Sequence, residues 1–490
     1  MGKLNLGPIV GGLTHHSAYL WGRAGEPGVL FAWLGSQPDL SDAILAGTSL
    51  ALRPQDGFAG VVPIDRLQPS TRTYYSLSLQ DGVPQPGKGP MPDGTYPSFV
   101  TFPRPGQRLP FRFAFGSCFR LKDPASGQVF TILDRHRQDV DLRFMLFIGD
   151  QIYADEIRYN SLQRVAVGLD DYRQVYAHTW GLPALRRMLW NLPAFMILDD
   201  HEVDDDWRWL GRDRQVAFIP WWDRLARSLR GGRREERDLA PERVQNALQA
   251  YWEHQGMHAP GFELPLELNE MGQYALAAAD AGSLAYSFTF GAAAFFVMDT
   301  RTMRVRRHWP GAQQASTMLG EGQWRALEAW LMAVKDTFPL KFLVTSSALL
   351  FDLWFDIPGD RWSGFRSERR RLLSLLAEEQ VDGVYVLAGD LHSAHAVKVE
   401  LEPAHGSGHT RPLTVWEFCS SPLDQQVNRF SRLLQRPLNG SPVRKHECPF
   451  VVSQNNFGQV AVSYDNAGKP QVSFEVYGET GDLLARVASS

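Results

Sequence analysis

Asp150 and Tyr153 stand three residues apart, directly after the apolar run Phe144 to Ile148. That spacing lets one tight loop aim two oxygen donors at a common point, which is a geometry for binding a metal ion. The same arrangement recurs along the chain. F-R-F-A-F-G-S-C ends in Cys118, A-F-M-I-L-D-D-H-E in Asp199 to Glu202, and A-F-F-V-M-D-T-R in Asp299 and Arg301. K-F-L-V-T-S-S ends in Ser346 and Ser347, and G-V-Y-V-L-A-G-D-L-H ends in Asp390 and His392, with His395 three residues on. Thiolate, phenolate, imidazole and several carboxylates are too many donors for one coordination sphere. A binuclear site, with a carboxylate such as Asp150 bridging two ions, could take them.

Read singly, each residue has a plainer explanation. Cys118 could be an inert buried thiol, and Tyr153 a core aromatic with a satisfied hydroxyl. Residues 199 to 206 hold Asp199, Asp200, Asp204, Asp205 and Asp206; such a run usually forms a solvated loop or helix cap. The burial expected of A-F-M-I-L before it makes that explanation insufficient for Asp200. His392 could be a satisfied core histidine, but Asp390 two residues earlier on the same side of the strand favours a metal. His395 is open between a third ligand, a substrate contact and a surface residue. His15, His16, His308, Cys419 and Cys448 read as structural.

The elements that must position these groups follow from the apolar runs. Uninterrupted runs read as strands buried on both faces of a parallel sheet, and in open α/β sheets ligands collect outside the carboxyl ends of such strands. Amphipathic helices are expected between them over Gln128–Arg137, Tyr172–Trp190, Pro241–Gln255, Gly322–Asp336 and Ser367–Gln380. Strands alternating with helices after residue 106 predict βαβ units. Residues 1–105 instead alternate in short bursts between turn signals, which predicts a small antiparallel sandwich. Ile64 to Tyr75 is similar to a corner of fibronectin type III domains. Pro84 to Gly94 reads as a long loop and Pro103 to Gly106 as a linker, giving domains 1–105 and 106–490. After Trp416 the alternating pattern returns and reads as antiparallel edge strands, with Gly468 and Gly478 at turns. Residues 208–240 are rich in arginine, either the solvated face of a charged helix or a guide for an anionic substrate.

Composition sets the outer bounds. The 490 residues exceed one ordinary core, and 44% hydrophobic with 21% charged residues is the balance of a folded protein. A formal charge of -4 gives no general reason to expect nucleic acid or an acidic membrane as partner. Three cysteines exclude a disulfide scaffold. The N-terminus shows neither an apolar signal nor a twin-arginine pair, and Leu6 stands where a myristoylation motif following Gly2 needs Ser or Thr. The expected location is cytoplasmic.

Taken in chain order, the pieces form a recognisable set: G-S-C (Gly116 to Cys118), G-D-Q-I-Y-A-D (Gly149 to Asp155), D-D-H-E-V (Asp199 to Val203), M-D-T-R (Met298 to Arg301), M-L-G-E-G-Q (Met318 to Gln323), W-S-G-F with E-R-R (Trp362 to Arg370), G-D-L-H-S-A-H (Gly389 to His395) and N-N-F-G (Asn455 to Gly458). The set resembles the calcineurin-like metallophosphoesterases, and within them the alkaline phosphatase D-like (PhoD-type) phosphatases. The resemblance implies a four-layer αββα sandwich with two facing mixed sheets, preceded by a small all-β domain of fibronectin III or immunoglobulin type. It implies hydrolysis of phosphomonoesters, phosphodiesters or both.

The same resemblance implies a division of ligands. One ion would take Cys118, Asp150, Tyr153 and His392, a set that suits ferric iron because thiolate and phenolate stabilise the higher oxidation state. The second would share Asp150 and add Asp200 and Asp390, hard oxygens that suit calcium. Many relatives outside this subfamily carry imidazole and amide ligands in the places of Asp390 and Asp200, which argues here against two zinc ions. A hydroxide held between the ions would attack phosphorus, since a bound cation lowers the pKa of water far below about 15.7. His201 would protonate the leaving oxygen, oriented by Glu202 or a neighbouring aspartate, while Arg301 and Arg120 hold substrate oxygens. The partner is then a small phosphate ester, with no membrane and no specific nucleic acid expected. The alternative is a catalytically silent scaffold of the same fold, against which the intact ligands and His201 speak.

Overall fold

The structure, a computed structural model, describes residues 4–489 except 122–125, 159, 212–213, 219–235, 265, 267–282, 306–315, 355–359 and 404–410. Gly2, His308 and the central part of the arginine-rich stretch, 219–235, lie outside the described residues. What the structure describes of that stretch is a small antiparallel sheet of Arg208–Gly211, Arg214–Phe218 and Glu236–Leu239.

Residues 6–100 form two antiparallel sheets, one ordered Leu6–Gly11, Ala18–Arg23, Ala59–Ile64 and the other Ile44–Thr48, Leu30–Gly35, Arg72–Leu79, Ser98–Val100. Strand Leu30–Gly35 buries every second side chain, as a strand with one face on a core must. The seam to the rest of the chain is packed rather than loose. Phe102, fully buried, touches Phe144, Phe195, Phe288 and Phe290.

The larger unit has two mixed sheets. The first runs Ala194–Ile197, Leu142–Ile148, Phe111–Gly116, Asn456–Tyr464, Pro470–Gly478, Leu483–Ser489. Its first three strands are parallel and the rest antiparallel. The second runs Tyr286–Phe290, Ala293–Val297, Leu340–Thr345, Val384–Ala388, Leu413–Cys419, Ala394–Leu401, Val443–Val452. Aromatic rings join their inner faces: Phe113 lies 5.5 Å from Phe295 and 5.4 Å from Phe342, and Phe418 lies 4.8 Å from Phe474. The period of two shows at Ala293–Val297, where Phe295 faces the inner core and its neighbour Phe296 meets Trp330 of the helix Gly320–Val334 at 5.4 Å. Helices cover both outer faces, so the architecture is the four-layer αββα sandwich preceded by a small all-β region.

Two sequence expectations change. Residues Tyr172–Trp190 are not one helix but two, Leu169–Trp180 and Pro183–Asn191, because Pro183 has no N–H to continue the ladder and starts a new helix instead. Asn456–Tyr464 and Pro470–Gly478 are not edge strands: both lie inside the first sheet, and the edge is Leu483–Ser489. Among the described residues, no helix is long and apolar enough to cross a membrane.

The sandwich is fastened to helices of the larger unit by polar ends of buried aromatics. Trp21 Nε1 donates to the Glu253 carbonyl at 2.9 Å, Tyr75 Oη to the Trp190 carbonyl at 2.7 Å, and Trp190 Nε1 to the Gly7 carbonyl at 2.8 Å. His254 and His258 are buried beside Trp21, with ring centroids 6.0 and 5.9 Å from it. Burial pushes His258 from 6.5 down to about 4 and holds His254 well below its ordinary value. A histidine that must stay neutral when folded lends its full stability above the unfolded pKa and loses it as pH falls toward the folded one. Between pH 6.5 and about 4, His258 is therefore expected to cost about 3 kcal/mol of unfolding free energy. Chemical denaturation at the two ends of that window checks it: His258→Gln should flatten the dependence, and an unchanged slope would assign the acid sensitivity elsewhere.

Candidate metal centre

Each chemical group leaves a strand at its carboxyl end. Phe111–Gly116 delivers Cys118, Leu142–Ile148 delivers Asp150, Ala194–Ile197 delivers Asp199 to Glu202, and Val384–Ala388 delivers Asp390 and His392. The first three strands belong to one sheet and the last to the other, so the groups meet across the gap between the two sheets. The turns are tight enough to force unusual backbone: Cys118, Asp150, Asp390 and His392 have φ of 61°, 54°, 65° and 54°. Non-glycine residues held there cost on the order of 1–3 kcal/mol each and persist where surrounding structure over-determines them. Gly149, φ 85°, allows the close approach beside them, since a Cβ there would stand 2.4 Å from that of Asp199.

Asp150 is the centre of the cluster. Its Oδ2 lies 3.3 Å from Cys118 Sγ and accepts from Tyr153 Oη at 3.4 Å, and its Oδ1 accepts from the His201 backbone N–H at 3.3 Å. Donor atoms of Cys118, Asp150 and His392 all fall within 4.8 Å of one another, and so do those of Asp150, Asp200 and His201. Asp150 is common to both groups. Asp390 stands at the same edge outside these two groups, its Oδ2 accepting from Arg361 Nε at 2.7 Å and its N–H donating to Ser117 Oγ at 3.0 Å.

Electrostatics make this cluster ask for positive charge. Burial pushes the carboxyls of Asp150 and Asp200, the Cys118 thiol and the Tyr153 phenol above their ordinary values, and Asp150 raises the last two further. Burial also raises Asp390 to about 8 against the pull of Arg361. Anionic donors kept where anions are penalised are stabilised by a cation, which removes the penalty. Burial pushes His392 down to about 3, so its imidazole is neutral and ready to ligate. The donor set therefore fits a metal centre. His201 differs: burial pulls it down, but Asp155, Asp150 and Asp200 together hold it well above 6.5.

The imidazole of His201 is oriented by a residue to which the sequence reading assigned no role. Asp155 Oδ1 and Oδ2 lie 2.9 and 3.0 Å from His201 Nδ1. Glu202, the expected partner, instead accepts backbone N–H groups of Asp150, Gln151 and Asp199 at 3.1, 2.8 and 2.9 Å, tying two strand ends together. Asp155 closes the segment G-D-Q-I-Y-A-D, five residues after Asp150, and its place in that segment was the available signal. Ser421 was also missed; its hydroxyl lies 3.3 Å from Cys118 Sγ. Above the cluster opens a cleft of about 1120 Å³ lined by Arg120, Tyr153, His201 and His392. Arg120 stands there with Nη1 on Glu156 at 2.7 Å and its guanidinium 5.9 Å from the Tyr153 ring centroid.

A family model described as PhoD-like phosphatase matches residues 113–470. The chain belongs to the PhoD-like phosphatase family. Alkaline phosphatase D of Bacillus subtilis (strain 168) is 24% identical over 384 residues, which is 73% of this chain and 57% of that relative, so the chain spans less than two thirds of the relative's length. Among solved structures, PhoD shares the fold with a TM-score of 0.69 at 20% identity, over 99% of this chain and 89% of that one. A purple acid phosphatase from yellow lupin (Lupinus luteus) seeds has a TM-score of 0.54 at 14% identity, over 98% and 73%.

Two expected substrate contacts of this PhoD-like chain are not at the cleft. Arg301 is wholly buried, paired with Asp199, with Asp200 at 3.4 Å and with Asp360 at 3.3 Å. It neutralises carboxylates beneath the cluster instead of meeting a ligand. His395, 0% exposed, has Nε2 2.9 Å from Glu417 Oε1 and its ring on Phe351 at 4.2 Å. It lies inside strand Ala394–Leu401, where no route to the cleft remains. Removing one partner of a buried charge set leaves the others uncompensated, so Arg301→Met is expected to lower unfolding free energy by about 3–5 kcal/mol. Urea denaturation measures it; full stability with only a raised KM would restore Arg301 as a substrate contact.

Proposed function

We propose that this chain is a metal-dependent phosphoesterase that hydrolyses phosphomonoesters, phosphodiesters or both at a binuclear centre of ferric iron and calcium. The sharing of Asp150 between two groups of donor atoms carries the reading. Cys118, Asp150, Tyr153 and His392 would hold the iron; Asp150, Asp200 and Asp390 would hold the calcium. Family membership and the printed name of the curated relative, a phosphatase, support the same reaction class. When bound, such cations make water more acidic and offset charge on the phosphoryl oxygens.

The remaining work falls to side chains of the chain itself. His201 keeps Nδ1 on Asp155, which leaves Nε2 as the atom to pass a proton to the leaving oxygen. The Asp155 carboxylate against Nδ1 favours the protonated imidazole. Arg120, on the cleft wall, draws the phosphoryl group in. Asp150 has its own backbone N–H held by Glu202, so the shared carboxylate is fixed before any ligand arrives.

Purified protein is expected to contain iron and a second metal by elemental analysis, and to cleave p-nitrophenyl phosphate or its bis ester in a chelator-sensitive way. His201→Ala should lower kcat by about 10²–10⁴-fold with metal content unchanged. Protein without transition metal and without turnover would favour the silent scaffold. Arg361 supplies a separate check, because its guanidinium occupies one oxygen of Asp390. A divalent cation sharing that carboxylate would be repelled by the guanidinium, which therefore opposes its binding. Arg361→Gln is expected to tighten calcium binding at least about tenfold by isothermal titration calorimetry; unchanged affinity would remove Asp390 from the ligand set.

A further inference from the structure

The cleft is much larger than one phosphoryl group needs. Its volume of about 1120 Å³ lies at or above the upper end of pockets that enclose whole organic ligands, about 300–1,000 Å³. One wall is built by the segments Gln425–Phe430 and Ser453–Asn455. On that wall stand the Phe430 ring, 63% exposed, and the exposed Arg429. A single exposed phenylalanine on a surface needs no explanation. This one differs in two respects: it lines the cleft, and its backbone is locked to the metal-type cluster.

The lock is a set of hydrogen bonds along residues 423–430. Leu423 N–H donates to the Ser117 carbonyl at 2.8 Å and Asp424 N–H to the Cys118 carbonyl at 3.3 Å. Asn428 N–H donates to the His392 carbonyl at 2.7 Å, and the Ser453 hydroxyl donates to the Asn428 carbonyl at 2.8 Å. Phe430 N–H donates to Asn428 Oδ1 at 3.1 Å. Backbone of Cys118 and His392 thus anchors the segment that carries the ring. An exposed aromatic face with cationic and amide neighbours, carried on an anchored segment, is what a stacked base binds to. Anchoring the segment also lowers the ordering cost that a mobile loop would add.

We propose that this wall is a leaving-group subsite for nucleoside-bearing phosphate esters. The base stacks on Phe430, and Arg429 with the amide of Gln426 meets its polar edge and ribose. This rests on the phosphoesterase reading but deepens it, naming the alcohol that departs from phosphorus.

Two alkyl monoesters differing in the ring, adenosine 5′-monophosphate and glycerol phosphate, test it. Wild-type protein is expected to prefer the nucleotide in kcat/KM. Phe430→Ala should reduce the nucleotide-to-glycerol preference about tenfold, mainly through KM, and Phe430→Trp should restore it. Adenosine alone, titrated calorimetrically, reads the subsite without turnover: binding by wild type that weakens about tenfold in Phe430→Ala supports the proposal even where no ester is cleaved. In that event only the hydrolytic reading fails. Equal adenosine affinity in the two proteins, no adenosine binding at all, or equal losses on both esters would overturn the subsite.

Discussion

Buried negative charge is the constraint around which this structure is arranged. Asp150, Asp199, Asp200, Asp206 and Asp360 are almost wholly removed from solvent within one region. Isolated carboxylates in such surroundings are costly and must be paired, hydrogen-bonded, protonated or bound to cations. The chain uses two of these answers on two sides. On the side of Asp199, Asp200 and Asp360 it supplies its own cation, Arg301. Arg208 pairs with Asp206 at 2.8 Å, and Arg304 stands near Asp206 and Asp360. On the side of Cys118, Asp150 and Tyr153 the donors themselves are pushed toward their neutral forms. Fixed charge below and unmet demand above give the site its direction.

Holding donors at that point strains the backbone, and the sheets absorb the strain. Four of the chemistry-bearing residues adopt positive φ directly after parallel strands whose side chains are buried on both faces. Glu202 reinforces the arrangement by taking three backbone N–H groups from two loops, and burial raises it to about 7. The inner aromatic stack of Phe113, Phe144, Phe295 and Phe342 keeps the two sheets in register so that Asp390 and His392 arrive opposite Cys118. A one-residue slip in either sheet would turn those groups away.

Much of this was legible in the sequence, for a physical reason: strands buried on both faces leave uninterrupted apolar runs, and the residue after each run must lie at a strand end. That logic brought Cys118, Asp150, Tyr153, Asp200, Asp390 and His392 to one edge. It had no means of telling a strand-end arginine that faces a cleft from one sealed beneath it, so Arg301 was misread. His395 could have been rejected on its own pattern. It sits inside a run, A-H-A-V-K-V, whose later residues continue a strand, and so it has no loop to carry it outward. Asp155 had the opposite fate, quoted within a motif but given no role, because its bond to His201 joins residues 46 apart. Pro183 was the clearest local signal passed over, since a proline in the middle of a periodic stretch divides the helix.

The small sandwich at the front of the chain bears on the centre despite contributing no donor. Trp21 hydrogen-bonds the carbonyl of Glu253, whose carboxylate also takes Arg173 at 2.6 Å, fastening the end of helix Pro241–His254. The next residue but one, Gln255, accepts from the amide of Gln151 at 2.7 Å and donates to Tyr176 Oη at 2.9 Å. Gln151 follows Asp150 and gives its own N–H to Glu202. The sandwich, the helix end and the Asp150 loop are therefore linked through consecutive polar contacts, buried except at Arg173, and each unmet buried partner costs about 1–3 kcal/mol. A loop bearing a left-handed aspartate would relax if its neighbours moved, and Gln151 is the neighbour that the helix end holds. The sandwich thus acts as a clamp: docking it fixes helix Pro241–His254, and the helix end fixes the residue beside the shared carboxylate.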